Sequence, residues 1–120
     1  MLERFKKIVG KDNVLTSDEE LKVYSKDATH YIGEVKTPIA VVFPKSAIEV
    51  SEILKLCNET KTKVIARGSG TNMCGACVDL DGSVILNFSK MNKIFPPDKK
   101  NFIIKAQAGA VITDIQKIAD

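Results

Sequence analysis

No apolar run in these 120 residues approaches the roughly 18 that a membrane span needs, so no transmembrane segment is expected. No block of five like charges occurs either. With 18 basic against 15 acidic residues, the formal charge is only +3, and neither a nucleic acid nor a membrane surface is indicated as a partner. The N-terminus lacks the uninterrupted apolar stretch of a signal peptide, because Leu2, Phe5, Ile8 and Val9 recur at helical intervals with charges between them. Cysteine and histidine are scarce. Three cysteines, an odd number beside no export signal, argue against a disulfide framework, and His30 is alone. These absences together point to a reducing compartment and a cytoplasmic location.

What is present is an ordinary globular mixture, 44% hydrophobic and 28% charged. A chain of this length builds one domain and buries roughly 60–70% of its unfolded surface. The first helical stretch stops at Gly10, and Ser17-Asp18-Glu19-Glu20 has the Ser-x-x-Glu spacing of a helix start, predicting a short helix to about Tyr24. Residues 25–38 hold no sustained period and read as irregular. Ile39-Ala40-Val41-Val42-Phe43, bounded by Pro38 and Pro44, is too short for a helix and reads as a strand covered on both faces. Ser46 and Glu49 repeat the capping spacing, and Val50, Ile53, Leu54 and Cys57 follow as one apolar stripe of a helix. Lys63-Val64-Ile65-Ala66 then completes a strand, helix, strand unit whose strands are parallel. Two more strands are predicted, Val84-Ile85-Leu86-Asn87-Phe88 and Phe102-Ile103-Ile104-Lys105-Ala106, separated by Pro96-Pro97-Asp98. A last helix begins near Thr113, whose spacing to Gln116 suits a cap. The fold class is α+β, a small parallel βαβ sheet with flanking helices.

The densest functional signal is Arg67-Gly68-Ser69-Gly70-Thr71-Asn72-Met73-Cys74-Gly75-Ala76-Cys77, which follows the second strand. Glycines at the end of a parallel strand let backbone N–H groups approach phosphate oxygens with no Cβ in the way. Ser69, Thr71 and Asn72 add side-chain donors and Arg67 adds a positive charge, so the natural ligand is a pyrophosphate. Two familiar loops are excluded by spacing. Gly68, Gly70 and Gly75 leave too long a last interval for the dinucleotide fingerprint, and Ala76-Cys77 stands where a P-loop has Lys-Ser or Lys-Thr. A turn that merely links two strands would not demand this content of hydroxyls and arginine. Cys74-x-x-Cys77 has the spacing of a redox pair or half a zinc site. Without a second pair, with Cys57 on a core-facing stripe and His30 isolated, both cysteines read as small buried residues. His30, Tyr24 and Tyr31 receive no role.

These segments, in order, resemble the FAD-binding domain of the vanillyl-alcohol oxidase and p-cresol methylhydroxylase type, especially the glycolate oxidase and D-lactate dehydrogenase flavoproteins. Ile39-Ala40-Val41-Val42-Phe43-Pro44-Lys45-Ser46 with Glu49-Val50 is similar to that family's strand, proline and capped helix. Ala66-Arg67-Gly68-Ser69-Gly70-Thr71-Asn72 is similar to its pyrophosphate loop. Leu86-Asn87-Phe88-Ser89-Lys90-Met91-Asn92-Lys93-Ile94 and Ala106-Gln107-Ala108-Gly109 are similar to the segments that follow. The resemblance implies that Arg67, Gly68, Ser69, Gly70, Thr71, Asn72, Gly75 and Ala76 line the FAD diphosphate, mainly through main-chain N–H groups. Ala76 offers no histidine for a covalent tether, so non-covalent FAD is implied.

On this resemblance residues 1–120 are a single, partial FAD-binding domain, with a first subdomain to about residue 100 and the start of a second beyond it. The implied enzyme is an FAD-dependent oxidoreductase of 2-hydroxy acids. The remainder of the flavoprotein or a partner subunit would supply the catalytic groups, and this chain alone would be inactive. Two alternatives stand beside it: a stand-alone module that binds another phosphate ligand or a partner, and a thiol or zinc protein built on Cys74 and Cys77.

Overall fold

Short β-branched runs become strands, and Ser-x-x-Glu spacings become helix starts. The computed structural model describes residues 1–23, 38–68 and 82–120. Along them run α1 (Leu2–Val9), a 3-10 turn (Lys11–Asn13), β1 (Val14–Leu15), α2 (Asp18–Val23), β2 (Ala40–Val42), α3 (Ala47–Glu59), β3 (Val64–Arg67), β4 (Val84–Asn87) and α4 (Ile112–Ala119). Gly10 ends α1 at φ 92°, a conformation that costs a residue with a Cβ. At the start of α3 the Ser46 hydroxyl accepts the Glu49 N–H at 3.2 Å, while the Glu49 carboxylate reaches back to the Lys45 N–H at 3.0 Å. This reciprocal pair satisfies two otherwise orphaned donors. At the start of α2 the Ser17 hydroxyl accepts the Glu20 N–H at 3.4 Å.

The strands pair in the order β1-β2-β4-β3, with β1 antiparallel to β2 and both other pairings parallel. The expected parallel βαβ unit therefore forms from β2, α3 and β3, but β4 is inserted between its two strands. The two-residue β1 adds an antiparallel edge too short to leave a period in the sequence. Alternation along the central strands sends side chains to two faces. On one face Ala40, Val42, Val84 and Leu86 pack with Phe5 and Val9 of α1 and with Ile53, Leu56 and Cys57 of α3. On the other, Val41 and Ile85 meet Leu21 of α2. All of β2 and β4 is buried, as a strand covered on both faces requires. Each fully buried side chain of this kind contributes about 1.5–3 kcal/mol.

Three sequence expectations are corrected. Leu54 is not on the buried stripe of α3 but 46% exposed, and Leu56 takes its place. At 3.6 residues per turn Leu54 lies about 100° round the helix from Ile53, whereas Leu56 and Cys57 flank the same face. Residues 102–106 do not join the sheet and make only isolated antiparallel bridges, Asp98 with Ile103 and Ile94 with Ala106. Phe102 adopts the left-handed conformation (φ 57°), which turns the chain back on residues 94–98 instead of extending it. Finally, α4 starts at Ile112 with Val111 as its N-cap and no side-chain cap bond, so Thr113 lies inside the first turn and does not cap it. Among the described residues no helix is long and apolar enough to cross a membrane.

Candidate functional site

Because β2, β4 and β3 run parallel, their carboxyl ends share one edge of the sheet, the edge where open α/β sheets bind ligands. Here the chain leaves β3 at Arg67 and passes to Gly68. The Phe88 N–H donates to the Arg67 carbonyl at 2.9 Å, extending the ladder one step past β4. The chain then turns. Buried Asn87 accepts the Ser89 N–H at its Oδ1 (2.9 Å), and the Met91 N–H donates to the Phe88 carbonyl (2.9 Å). Lys90 anchors this turn to the first helix region, its ammonium donating to Asn13 Oδ1 and lying 5.4 Å from the centre of the Phe43 ring. Asn13 is fixed in turn by its Nδ2, which donates to the Val9 carbonyl at 2.7 Å.

A second segment is laid against the turn. The Gln107 N–H donates to the Lys93 carbonyl at 2.8 Å, the Gln107 side-chain oxygen accepts the Lys93 N–H at 3.0 Å, and the Gly109 N–H donates to the Met91 carbonyl at 2.8 Å. A Cβ on Gly109 would lie 1.6 Å from the Phe88 carbonyl oxygen, far inside the 3.0 Å limit of real contacts. Glycine is required there by close approach of two backbones.

The outcome is a cleft with Gly68 on one side and residues 108–113 on the other. It comprises a hollow of about 430 Å³ and a smaller one of about 210 Å³, which share Gly68, Gly109 and Val111. A Cβ on Gly68 would meet no described atom within 4 Å, so packing among the described residues does not demand a glycine here. The larger hollow is bordered by Val111, Ile112 and Thr113 at the start of α4. The Ile112 and Thr113 N–H groups precede the first bond of the helix, which Asp114 donates to the Val111 carbonyl at 3.0 Å, and they sit at the positive end of the helix dipole, which favours an anion. Ser89, Asn92 and Asp114 border the smaller hollow. The Asp114 carboxylate makes that side the less suited to a phosphate.

Of the eight residues expected to line a diphosphate, Gly68 borders this cleft and Arg67 immediately precedes it, while Ser69, Gly70, Thr71, Asn72, Gly75 and Ala76 lie outside the described residues. Tyr24, His30, Tyr31, Cys74 and Cys77 lie outside them as well. Cys57 is a core residue, as its place on α3 implied, and burial pushes its thiol pKa up. Asp98 is exposed, and hydrogen bonds from Asn101, first from its side chain, hold the carboxyl below the usual carboxylate range. Neither group borders the cleft. Among the described residues no cluster of His, Cys, Asp and Glu could hold a metal ion. The wall formed by residues 108–113 received no site role in the sequence reading, although Ala106-Gln107-Ala108-Gly109 was one of the segments that carried the resemblance.

Residues 38–120 match the family model described as FAD binding domain. The chain is 37% identical over all its 120 residues to D-lactate dehydrogenase of Anaerostipes hadrus, covering 25% of that protein. It is 34% identical over 113 residues to glycolate oxidase subunit GlcD of Bacillus subtilis, which takes in 94% of this chain and 24% of that protein. In three dimensions it is similar to p-cresol methylhydroxylase solved with substrate bound. The TM-score is 0.84 and the identity 27%, over 97% of this chain and 23% of that one. The chain thus spans about a quarter of the length of the relatives it matches.

Proposed function

The chain belongs to the FAD binding domain family, and from that premise we propose that it is the FAD-anchoring part of a flavin-dependent oxidoreductase acting on 2-hydroxy acids of the glycolate or D-lactate class. The observation that carries this reading is the cleft at the carboxyl ends of the parallel strands, with Gly68 opposite the start of α4. The residues present fit a diphosphate. No described atom lies within 4 Å of where a Gly68 Cβ would stand, and the larger hollow, about 430 Å³, lies within the ordinary range of ligand pockets.

In this reading Arg67, Gly68, Ser69, Gly70, Thr71, Asn72, Gly75 and Ala76 cradle the diphosphate without a covalent bond. Backbone N–H groups hold it and Arg67 adds positive charge. FAD, when bound, supplies the acceptor for the hydride of a 2-hydroxy acid. The share of this chain is to bind and orient. Residues 1 to about 100 form a first subdomain and the rest begins a second. The catalytic groups and the substrate site belong to the remainder of the flavoprotein or to a partner subunit, and the protein works in the cytoplasm. Identity to proteins named D-lactate dehydrogenase and glycolate oxidase supports the substrate class.

Titration of the purified chain and of the complete gene product with FAD, followed by flavin fluorescence and thermal shift with ADP as competitor, tests the reading. Saturable binding that raises the melting temperature is expected, at about 2.7 kcal/mol of stabilisation when FAD is a hundredfold above Kd. Gly70→Asp is expected to abolish it by clash and like-charge repulsion. Binding of ADP without FAD would transfer the loop to another phosphate ligand, and no binding by either form would overturn the reading.

A further inference from the structure

Asn13 is a buried polar residue whose backbone and side chain are both committed. Its N–H donates to the Gly10 carbonyl at 3.1 Å, its carbonyl accepts the Phe43 N–H at 2.9 Å, and its Nδ2 donates to the Val9 carbonyl at 2.7 Å. These bonds tie it to α1 and to the end of β2, and they leave Oδ1 as an acceptor in a fixed place. The donor that fills it is the ammonium of Lys90, 77 residues away. Among the described residues no carboxylate pairs with that ammonium; the ion pairs there are Arg4 with Glu59 and Lys6 with Glu3. Ordering a lysine side chain costs conformational entropy, and a charge-assisted bond to a buried amide offsets it. What the bond secures is the backbone of residue 90. That backbone lies between two carbonyls that place the far wall of the cleft. A Cβ on Gly109 would stand 1.6 Å from the Phe88 oxygen, and the Met91 carbonyl accepts the Gly109 N–H at 2.8 Å. Ser89, the residue before Lys90, itself borders the smaller hollow.

We propose that Lys90 is a positioning residue for the cofactor cleft: by bonding Asn13 it fixes the turn at residues 87–91 and, through the Phe88 and Met91 carbonyls, the place of Gly109 and the wall that faces Gly68. The proposal rests on the function proposed above. Lys90 touches no ligand in this scheme. Its charge acts on Asn13, and its effect reaches the cofactor only as backbone position, on which a site built from backbone groups depends. Asn13 precedes the stretch 38–120 that matches the FAD binding domain, so the support of the cleft reaches outside that stretch into the segment of α1 and β1. The Phe43 ring, 5.4 Å from the ammonium at its centre, favours the cation along the same route.

Two substitutions in the complete gene product test the proposal. Lys90→Met keeps the aliphatic stem and removes the ammonium, whereas Lys90→Arg keeps a charged donor. Amide hydrogen exchange of flavin-free protein, read by mass spectrometry, is expected to quicken severalfold in Lys90→Met at Met91 and Gly109, whose N–H groups bond the Phe88 and Met91 carbonyls, and to stay as in the parent along β4. Titration with FAD is expected to show a Kd raised severalfold in Lys90→Met, with most of both effects recovered in Lys90→Arg. Asn13→Ala is expected to weaken FAD binding as well, and Lys90→Met added to it to weaken binding no further. Unchanged exchange at Gly109 overturns the proposal, and so does exchange that quickens equally in β4, which marks a general loss of stability. Faster exchange at Gly109 with the FAD affinity of the parent overturns it too, as do additive effects of the Asn13 and Lys90 substitutions. FAD bound by neither parent nor variants sinks the cofactor reading alone, because exchange at Gly109 is measured without flavin and still decides what Lys90 holds.

Discussion

β4 and α4 carry the same kind of residue and meet opposite fates. Val84, Ile85 and Leu86 are buried along with the rest of β4, whereas no residue of α4 is buried although Ile112, Ile115 and Ile118 line one of its sides. Partners decide the difference, not composition. β4 has a parallel strand at each edge, α1 and α3 packed over one face and α2 over the other. α4 is tied in chiefly through the segment that precedes it, where Gly109 meets the Phe88 carbonyl. A sequence pattern therefore states that a face seeks cover, and only the fold states whether cover lies within the chain.

Substitution in β4 tests this contrast most severely. Ile85→Ala removes a fully buried side chain and is expected to cost about 2–5 kcal/mol in urea denaturation. Ile112→Ala, at a position 71% exposed, is expected to stay within about 0.5 kcal/mol in the same chain. Comparable losses would mean that α4 is packed in solution and would break the comparison. A second pair separates fold from site. Gly109→Ala forces a methyl into the Phe88 carbonyl and is expected to cost about 1–3 kcal/mol. Gly68→Ala puts a methyl where no described atom lies within 4 Å, so stability is expected to be unchanged or to rise by up to about 1 kcal/mol while FAD affinity falls. Gly68→Ala binding FAD as the parent does would remove Gly68 from the diphosphate site.

Elements with local causes were legible in the sequence. Gly10 ends α1, Ser46 with Glu49 starts α3, and the flanking prolines leave the 39–43 run only strand length. The insertion of β4 between β2 and β3 was not legible, because sheet order depends on pairing between distant segments and leaves no mark in either. Leu54 misled for a narrower reason: its spacing from Val50 suits the stripe, and only the rotation set by Ile53 and Cys57 places it outside. At the site, glycine density marked the end of β3 in advance. The opposite wall was hidden because Ala108 and Ala110 carry no reactive group and Gly109 acts through its backbone. Its role exists only once two carbonyl-lined segments meet.

The Asp98 turn extends the contrast between the two regions to pH. Burial raises the Cys57 thiol inside the core, whereas Asp98, fully exposed, is lowered by hydrogen bonds, foremost the one from the Asn101 side chain. A carboxyl whose folded pKa lies below its unfolded value lends stability above the unfolded pKa, and that contribution disappears as pH falls through the folded pKa. The brace on Phe102 is therefore expected to hold at neutral pH and to loosen in acid as Asp98 takes up a proton. NMR titration of the Asp98 carboxyl should give a midpoint below that of an ordinary aspartate, and Asn101→Ala should move it upward by removing the largest cause. Because the group is exposed, the change in global stability should be the smallest in this series, with the chemical shifts of Lys100, Asn101 and Phe102 moving together while those of β4 stay fixed. A midpoint unmoved by Asn101→Ala would mean that Asn101 does not brace the turn. The left-handed conformation of Phe102 would then need another cause.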